Sequence, residues 1–268
     1  MGSISESEFP SIQIPIIDIS GYINGNVENG KQIAAEIHAA CQFPGFFQIT
    51  GHGVSAEQRS NMMSKIAEFF ALPASIKQSI ARLNSKCLRG YEMIGEQSLQ
   101  AGFQDQKEGF NIGVEFPDYA RYHQGPNQWP PEEAIPGFRE TFSNYFDTMR
   151  RLSKIMFRLM ALSLDLDENY FDDFVGSRDA NSPCRMLHYP PTTPEQALKS
   201  RGIGAHTDFG ALTLLLQDDV GGLEVFHRAT ETWHPVKPIE GAFVVNIGDM
   251  MGEQTPQTPN WLSAHPPD

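Results

Sequence analysis

Cysteine is scarce in this sequence. Only Cys41, Cys87 and Cys184 occur, far apart and with no C-x-x-C, which argues against a disulfide framework and for a reducing compartment. Positive charge is also in short supply: 20 Lys and Arg stand against 33 Asp and Glu, a net charge of −13. A surface so acidic repels phosphate backbones and anionic membranes, so neither nucleic acid nor a membrane is an expected partner. No apolar run is long enough for a membrane span. The opening "MGSISESEFPS" has neither the basic nor the apolar segment of a secretory signal. It nearly fits a myristoylation signal, but Glu6 stands where Ser or Thr is needed. There is no G-x-S-x-G, no P-loop and no Rossmann fingerprint in a strand–turn–helix context. These absences lead to the expectation of a cytoplasmic protein.

What is present is an ordinary globular mix, 40% hydrophobic and 20% charged over 268 residues, with chain enough for a substantial core. "IQIPIIDIS" is β-branched and broken by Pro15, which suits an edge strand. "KQIAAEIHAACQ" places Ile33 and Ile37 one turn apart on a helix, and "GFFQITGHGVS" reads as a strand closed by glycines. Ser55 with Gln58 forms a capping-box pattern. It opens a helix carrying Met62, Met63, Ile66, Phe69 and Phe70 that Pro73 should end. Residues 84–135 have little periodicity and predict loops with short strands. From Phe138 onward Phe142, Tyr145, Phe146, Met149, Leu152, Ile155, Met156 and Leu159 form one apolar stripe, a structural spine to pack against a sheet.

After Ser182 the texture changes to short strands: "RMLHYP", "ALTLLLQ", "LEVFH", "TWHPVKP" and "AFVVNIGDMM". Their close spacing suggests a sandwich or jelly roll. From Gly252 the chain turns proline-rich and loses alternation, which predicts an irregular tail rather than a strand.

Within "GIGAHTDFGALTLLLQDD", His206 and Asp208 stand two apart at the head of an apolar run. On a strand they would face the same side. An imidazole and a carboxylate supply two of the three ligands of a 2-His-1-carboxylate Fe(II) triad. The spacing alone also suits a surface turn or a core histidine with a satisfied ring.

The surroundings of this pair are more telling. "GIGAHTDFGALTLLL…GGLEV" resembles the iron-binding strand of the isopenicillin-N-synthase-like, 2-oxoglutarate- and Fe(II)-dependent dioxygenases. "IPIIDIS" with "AAEIHAACQFPGFFQITGHGVS", then "RMLHYPP" and "GAFVVNIGDMM", match that family's other motifs in order. The resemblance implies an α+β fold: a double-stranded β-helix (jelly-roll) core, incomplete at its C-terminus, behind a helical N-terminal region. It divides the chain into a dioxygenase N-terminal domain (1–130), a spine helix and connection (131–178), a partial jelly-roll domain (179–251) and an irregular tail (252–268). It implies Fe(II), with 2-oxoglutarate and O2 as co-substrates, and is compatible with ascorbate. In such enzymes oxygen decarboxylates 2-oxoglutarate to succinate, and a small organic molecule is hydroxylated, desaturated or ring-closed, often in secondary metabolism. Carried over by position, His206 and Asp208 are metal ligands and Tyr189 contacts 2-oxoglutarate; as a bare residue Tyr189 reads equally as a core aromatic. Loops including Phe103–Phe116 would shape the substrate pocket.

The pattern then breaks. The family continues past its "GDMM"-like turn with a second histidine and an Arg-x-Ser that grips the far carboxylate of 2-oxoglutarate. Residues 252–268 contain no Lys or Arg, so that bidentate cation is absent from its expected place. His265, 59 positions after His206, is the candidate third ligand, although it sits in "SAHPPD" with no strand to aim it. His227 and His234 come too early and belong on a hairpin around "RATETW"; His52 serves a Gly-His-Gly turn; His188 should face away from Tyr189. "DLDENYFDD" lacks the glycine and spacing of a calcium loop. The sequence therefore leaves three readings: a dioxygenase, a truncated or divergent relative without a complete iron and 2-oxoglutarate site, and an oxygenase that dispenses with 2-oxoglutarate. It does not specify the oligomeric state.

Overall fold

The computed structural model describes residues 13–197, 199–227 and 230–254. In chain order the elements are β1 (Ile16–Asp18), α1 (Ser20–Ile23), α2 (Val27–Gln42), β2 (Phe46–Thr50), α3 (Ala56–Phe70) and α4 (Ala74–Ser79). A short 3-10 turn at Arg82–Asn84 leads to β3 (Gly90–Glu92), β4 (Gln104–Asp105), β5 (Glu108–Ile112), α5 (Phe138–Ser163) and α6 (Asp172–Gly176). The remainder is β6 (Cys184–His188), α7 (Pro194–Ala197), β7 (Ser200–Arg201), β8 (Leu212–Leu215), β9 (Glu224–His227), β10 (Thr232–Pro235), β11 (Phe243–Ile247) and α8 (Asp249–Gln254). No helix of the described residues is long and apolar enough to cross a membrane.

The described residues divide into two compact units, 13–52 with 207–254, and 53–206. The first is organised by a four-stranded sheet in the order β1-β2-β11-β8. β1 lies at the edge, parallel to β2, as Pro15 requires; Ile17 is buried and Ile16 exposed. β2 pairs antiparallel with β11 and β11 with β8, so a segment near residue 48 holds one near residue 244. β11 is buried along its whole length, which its near-continuous apolar run "FVVNI" favours. α2 packs on β1 and β2, capped by the Asn26 side chain, which accepts from the Asn29 amide. β9 and β10 form the hairpin expected around "RATETW", and Val225, Val236 and Val244 make a small core with Phe46 and Leu215.

The second unit is built around α5. Its 26 residues bury Phe138, Phe142, Tyr145, Phe146, Leu152, Met156 and Leu159, largely at three- and four-residue spacing, and it packs on α3 and α6. Phe69, Phe110, Trp129, Phe138 and Phe142 meet ring to ring, joining α3, β5 and α5 in one aromatic core. Ser55 caps α3 by accepting from the Gln58 amide. The Gln58 side chain donates to Thr148 on α5, so half of the expected capping box becomes a tie between helices. α3 ends at Phe70, three residues before Pro73, which instead starts α4. β5 pairs with both β3 and β6.

Two expectations are corrected. Phe103–Phe116 is not one continuous loop: half of it is β4 and the fully buried β5. The tail does not turn irregular at Gly252, because α8 continues to Gln254. His265 and the rest of that tail lie outside the described residues.

Candidate metal and co-substrate site

His206 and Asp208 do not lie on a strand. They occupy an irregular stretch between β7 and β8, bounded by Gly204 and Gly210. Their positions are set by hydrogen bonds rather than by ladder alternation.

Asp208 is fixed within the first unit. Its Oδ2 accepts from Thr213 Oγ1 on β8 at 2.6 Å and from Asn246 Nδ2 on β11 at 2.7 Å. Its carbonyl accepts from the Asp249 amide at 2.9 Å, and the neighbouring Thr207 hydroxyl donates to Asp249 at 2.7 Å. Gly248 is required where these segments cross, since a Cβ there would stand 2.1 Å from the Gly210 carbonyl oxygen. Asn246 is 6% exposed, and its place in an otherwise apolar strand is explained by the carboxylate that it holds. Thr213 and Asn246 were not singled out from sequence; the signal was there, in an amide interrupting "FVVNI".

His206 ends the second unit. Its Nδ1 lies 2.8 Å from the Gly204 carbonyl oxygen. A carbonyl only accepts, so Nδ1 carries a proton, and Nε2 is the ring nitrogen whose lone pair a metal would take. Such a bond is the usual support of a ligating histidine. An imidazole nitrogen and a carboxylate, each oriented in its own unit by outer hydrogen bonds, are donor types that a borderline divalent cation such as Fe(II) takes. Among the described residues no third His, Cys, Asp or Glu joins them in a metal-binding group.

Tyr189 follows β6 and lays its ring against Gly202, four residues before His206. It leaves 46% of its surface exposed. Removal of its phenol from water raises its pKa to about 12, with Asp105 and Glu92 adding to the rise and Arg185 opposing it.

Beneath this face of the second unit lies a polar network with no counterpart in the motif reading. Glu108 accepts from Lys77 at 2.8 Å, from Tyr91 at 2.6 Å and from His188 at 2.9 Å. Burial pushes the Glu108 carboxyl up, but these three donors outweigh it and hold it below the ordinary range. Lys107 and Glu92, each about 1% exposed, pair at 3.0 Å, and Arg185 reaches the same Glu92 at 2.6 Å. His188 thus serves this network. His52 is also structural, bonding the Gly241 carbonyl at 2.6 Å. His227 and His234 sit on the β9–β10 hairpin, bonded to Thr230 and Thr232.

Two family descriptions match the chain: "non-haem dioxygenase in morphine synthesis N-terminal" over residues 14–132 and "2OG-Fe(II) oxygenase superfamily" over residues 180–257. The chain is 39% identical over 257 residues to the 2-oxoglutarate-dependent dioxygenase citB of Monascus ruber, covering 91% of this chain and 77% of that one. It is 40% identical over 248 residues to the 2-oxoglutarate-Fe(II) type oxidoreductase hxnY of Emericella nidulans, covering 88% and 70%. Among solved structures it resembles a full-length Neurospora crassa protein in complex with alpha-KG and thymine, with a TM-score of 0.79, 29% identity, and coverage of 94% and 78%. The fold is therefore the α+β jelly roll of these oxygenases, and the chain belongs to the family of 2-oxoglutarate- and Fe(II)-dependent dioxygenases.

Proposed function

We propose that this dioxygenase holds its ferrous ion with His206 and Asp208, takes His265 as the third protein ligand, and oxidises a small organic molecule of secondary metabolism in the cytoplasm. The observation that carries the ligand assignment is the outer support of both donors: Gly204 O fixes the His206 tautomer, and Thr213 with Asn246 fixes the Asp208 carboxylate. Bound iron supplies the redox chemistry with O2 and 2-oxoglutarate. His206 contributes the Nε2 lone pair, and Asp208 contributes charge from a carboxylate that cannot swing away. The Tyr189 phenol is protonated at neutral pH, as an ordinary tyrosine is, so it can donate to a carboxylate of 2-oxoglutarate. On this reading residues 1–130, 131–178, 179–251 and 252–268 are the N-terminal domain, spine, jelly-roll domain and tail.

Aerobic incubation with Fe(II) and 2-oxoglutarate tests the assignment through succinate release. The full chain should form succinate in an iron-dependent manner, and His206→Ala and Asp208→Ala should fall to the metal-free background. Succinate formation at the native rate by either variant would overturn it.

A further inference from the structure

We infer that Asp105 is a positioning residue for His206, acting through the two peptide groups that flank the Gly204 Cα; this rests on His206 being a metal ligand. Asp105 ends β4, which runs parallel to β7, with Gln104 opposite Ser200 and Asp105 opposite Arg201. The Gln106 amide donates to the Arg201 carbonyl at 2.7 Å. Past Arg201 the chain leaves the ladder, so no further strand pairing fixes residues 202–206.

Asp105 takes over that task. Its Oδ1 accepts from the Gly204 amide at 3.0 Å, and the Gly204 carbonyl accepts from His206 Nδ1 at 2.8 Å. The amide side of Gly204 is thus held by a residue 99 positions earlier, and its carbonyl side holds the imidazole. The residue is also confined: a Cβ at position 204 would stand 2.8 Å from the Gln100 amide nitrogen and 3.2 Å from the Leu99 carbonyl carbon. With its amide anchored and the Leu99–Gln100 backbone pressed against it, Gly204 offers its carbonyl in one direction.

Asp105 is 1% exposed, and among the described residues its Oδ2 has no hydrogen-bond partner. A buried carboxylate with an unfilled oxygen is costly for a fold, and such groups mark places where something other than stability is served. Here the Asp105 carboxyl accepts from the amide of the residue whose carbonyl receives the His206 Nδ1 proton.

Anaerobic titration of the full chain with Mn(II) in the presence of 2-oxoglutarate, reading free Mn(II) by electron paramagnetic resonance, tests the inference. Thermal melts run alongside. The native chain should bind saturably and His206→Ala should not. Asp105→Ala should bind about 10-fold or more weakly. Asp105→Asn keeps the Oδ1 acceptor and should bind within about 3-fold of native, a rescue that bulk destabilisation would not give. Gly204→Ala leaves Asp105 intact but forces the turn off Gln100, and should also lose about 10-fold, which covers the case of an Asp105→Ala chain that does not fold. Native affinity in Asp105→Ala or Gly204→Ala, or an Asp105→Asn as weak as Asp105→Ala, would overturn the role of Asp105. No saturable binding by the native chain would instead remove the metal site itself.

Discussion

Glu108 shows how single residues in this molecule trade hydration for hydrogen bonds. It is 5% exposed, and its carboxylate is held by Lys77, Tyr91 and His188. Removing one member of a buried ion pair leaves the other charged and unmatched, so Glu108→Gln should lose about 3–5 kcal/mol at pH 7. The folded-state pKa lies below the unfolded one. The stability that Glu108 adds is therefore complete above its unfolded value, about 4.3, and is lost as pH falls through the folded value. Urea unfolding of native chain and variant should show a gap that is full at pH 7 and narrows below about pH 4. A gap that does not change with pH would remove Glu108 from that account. At the same scale, Asp105, Thr213 and Asn246 explain why the proposed ligands were legible while their supports were not. A motif records the atoms that meet the cation. The groups behind them come from β4, β8 and β11, and only their polar character within apolar or strand-like segments marks them.

At the scale of elements, α5 was legible because 26 residues keep one apolar period, and nothing in its surroundings contradicts it. Its grip on the aromatic core is concentrated at Phe142, which is fully buried and meets Phe110, Trp129 and Phe138. Phe142→Ala should cost about 3–5 kcal/mol, seen as a lower urea midpoint with an unchanged slope. A loss under about 1 kcal/mol would mean that the spine is held elsewhere. The stretch around His206 and Asp208 was misread in one respect: alternation was assumed where Gly204 and Gly210 allow an irregular path fixed by side chains. Within Phe103–Phe116, short strands were expected but their burial was not, because glycine and glutamine looked loop-like whereas Glu108 and Asn111 are buried polar residues on β5 and Lys107, just before it, is buried too.

For the whole molecule, the family and its jelly roll were readable from several motifs in order, but the pairing of β2 with β11 was not. That register joins residues about 200 positions apart, and no local pattern encodes it. It also gives the arrangement a purpose in the first unit. β2 and β8 flank β11, the strand whose Asn246 holds Asp208, so the N-terminal segment braces the strand that orients the carboxylate.

The account depends on His206 and Asp208 gripping one ferrous ion together with 2-oxoglutarate, and anaerobic visible absorption reads this directly. Mixing the full chain with Fe(II) and 2-oxoglutarate should produce a weak visible charge-transfer band, and the band should vanish in Asp208→Ala at equal protein and iron. No band from the native chain, or a band that survives unchanged in Asp208→Ala, would contradict it.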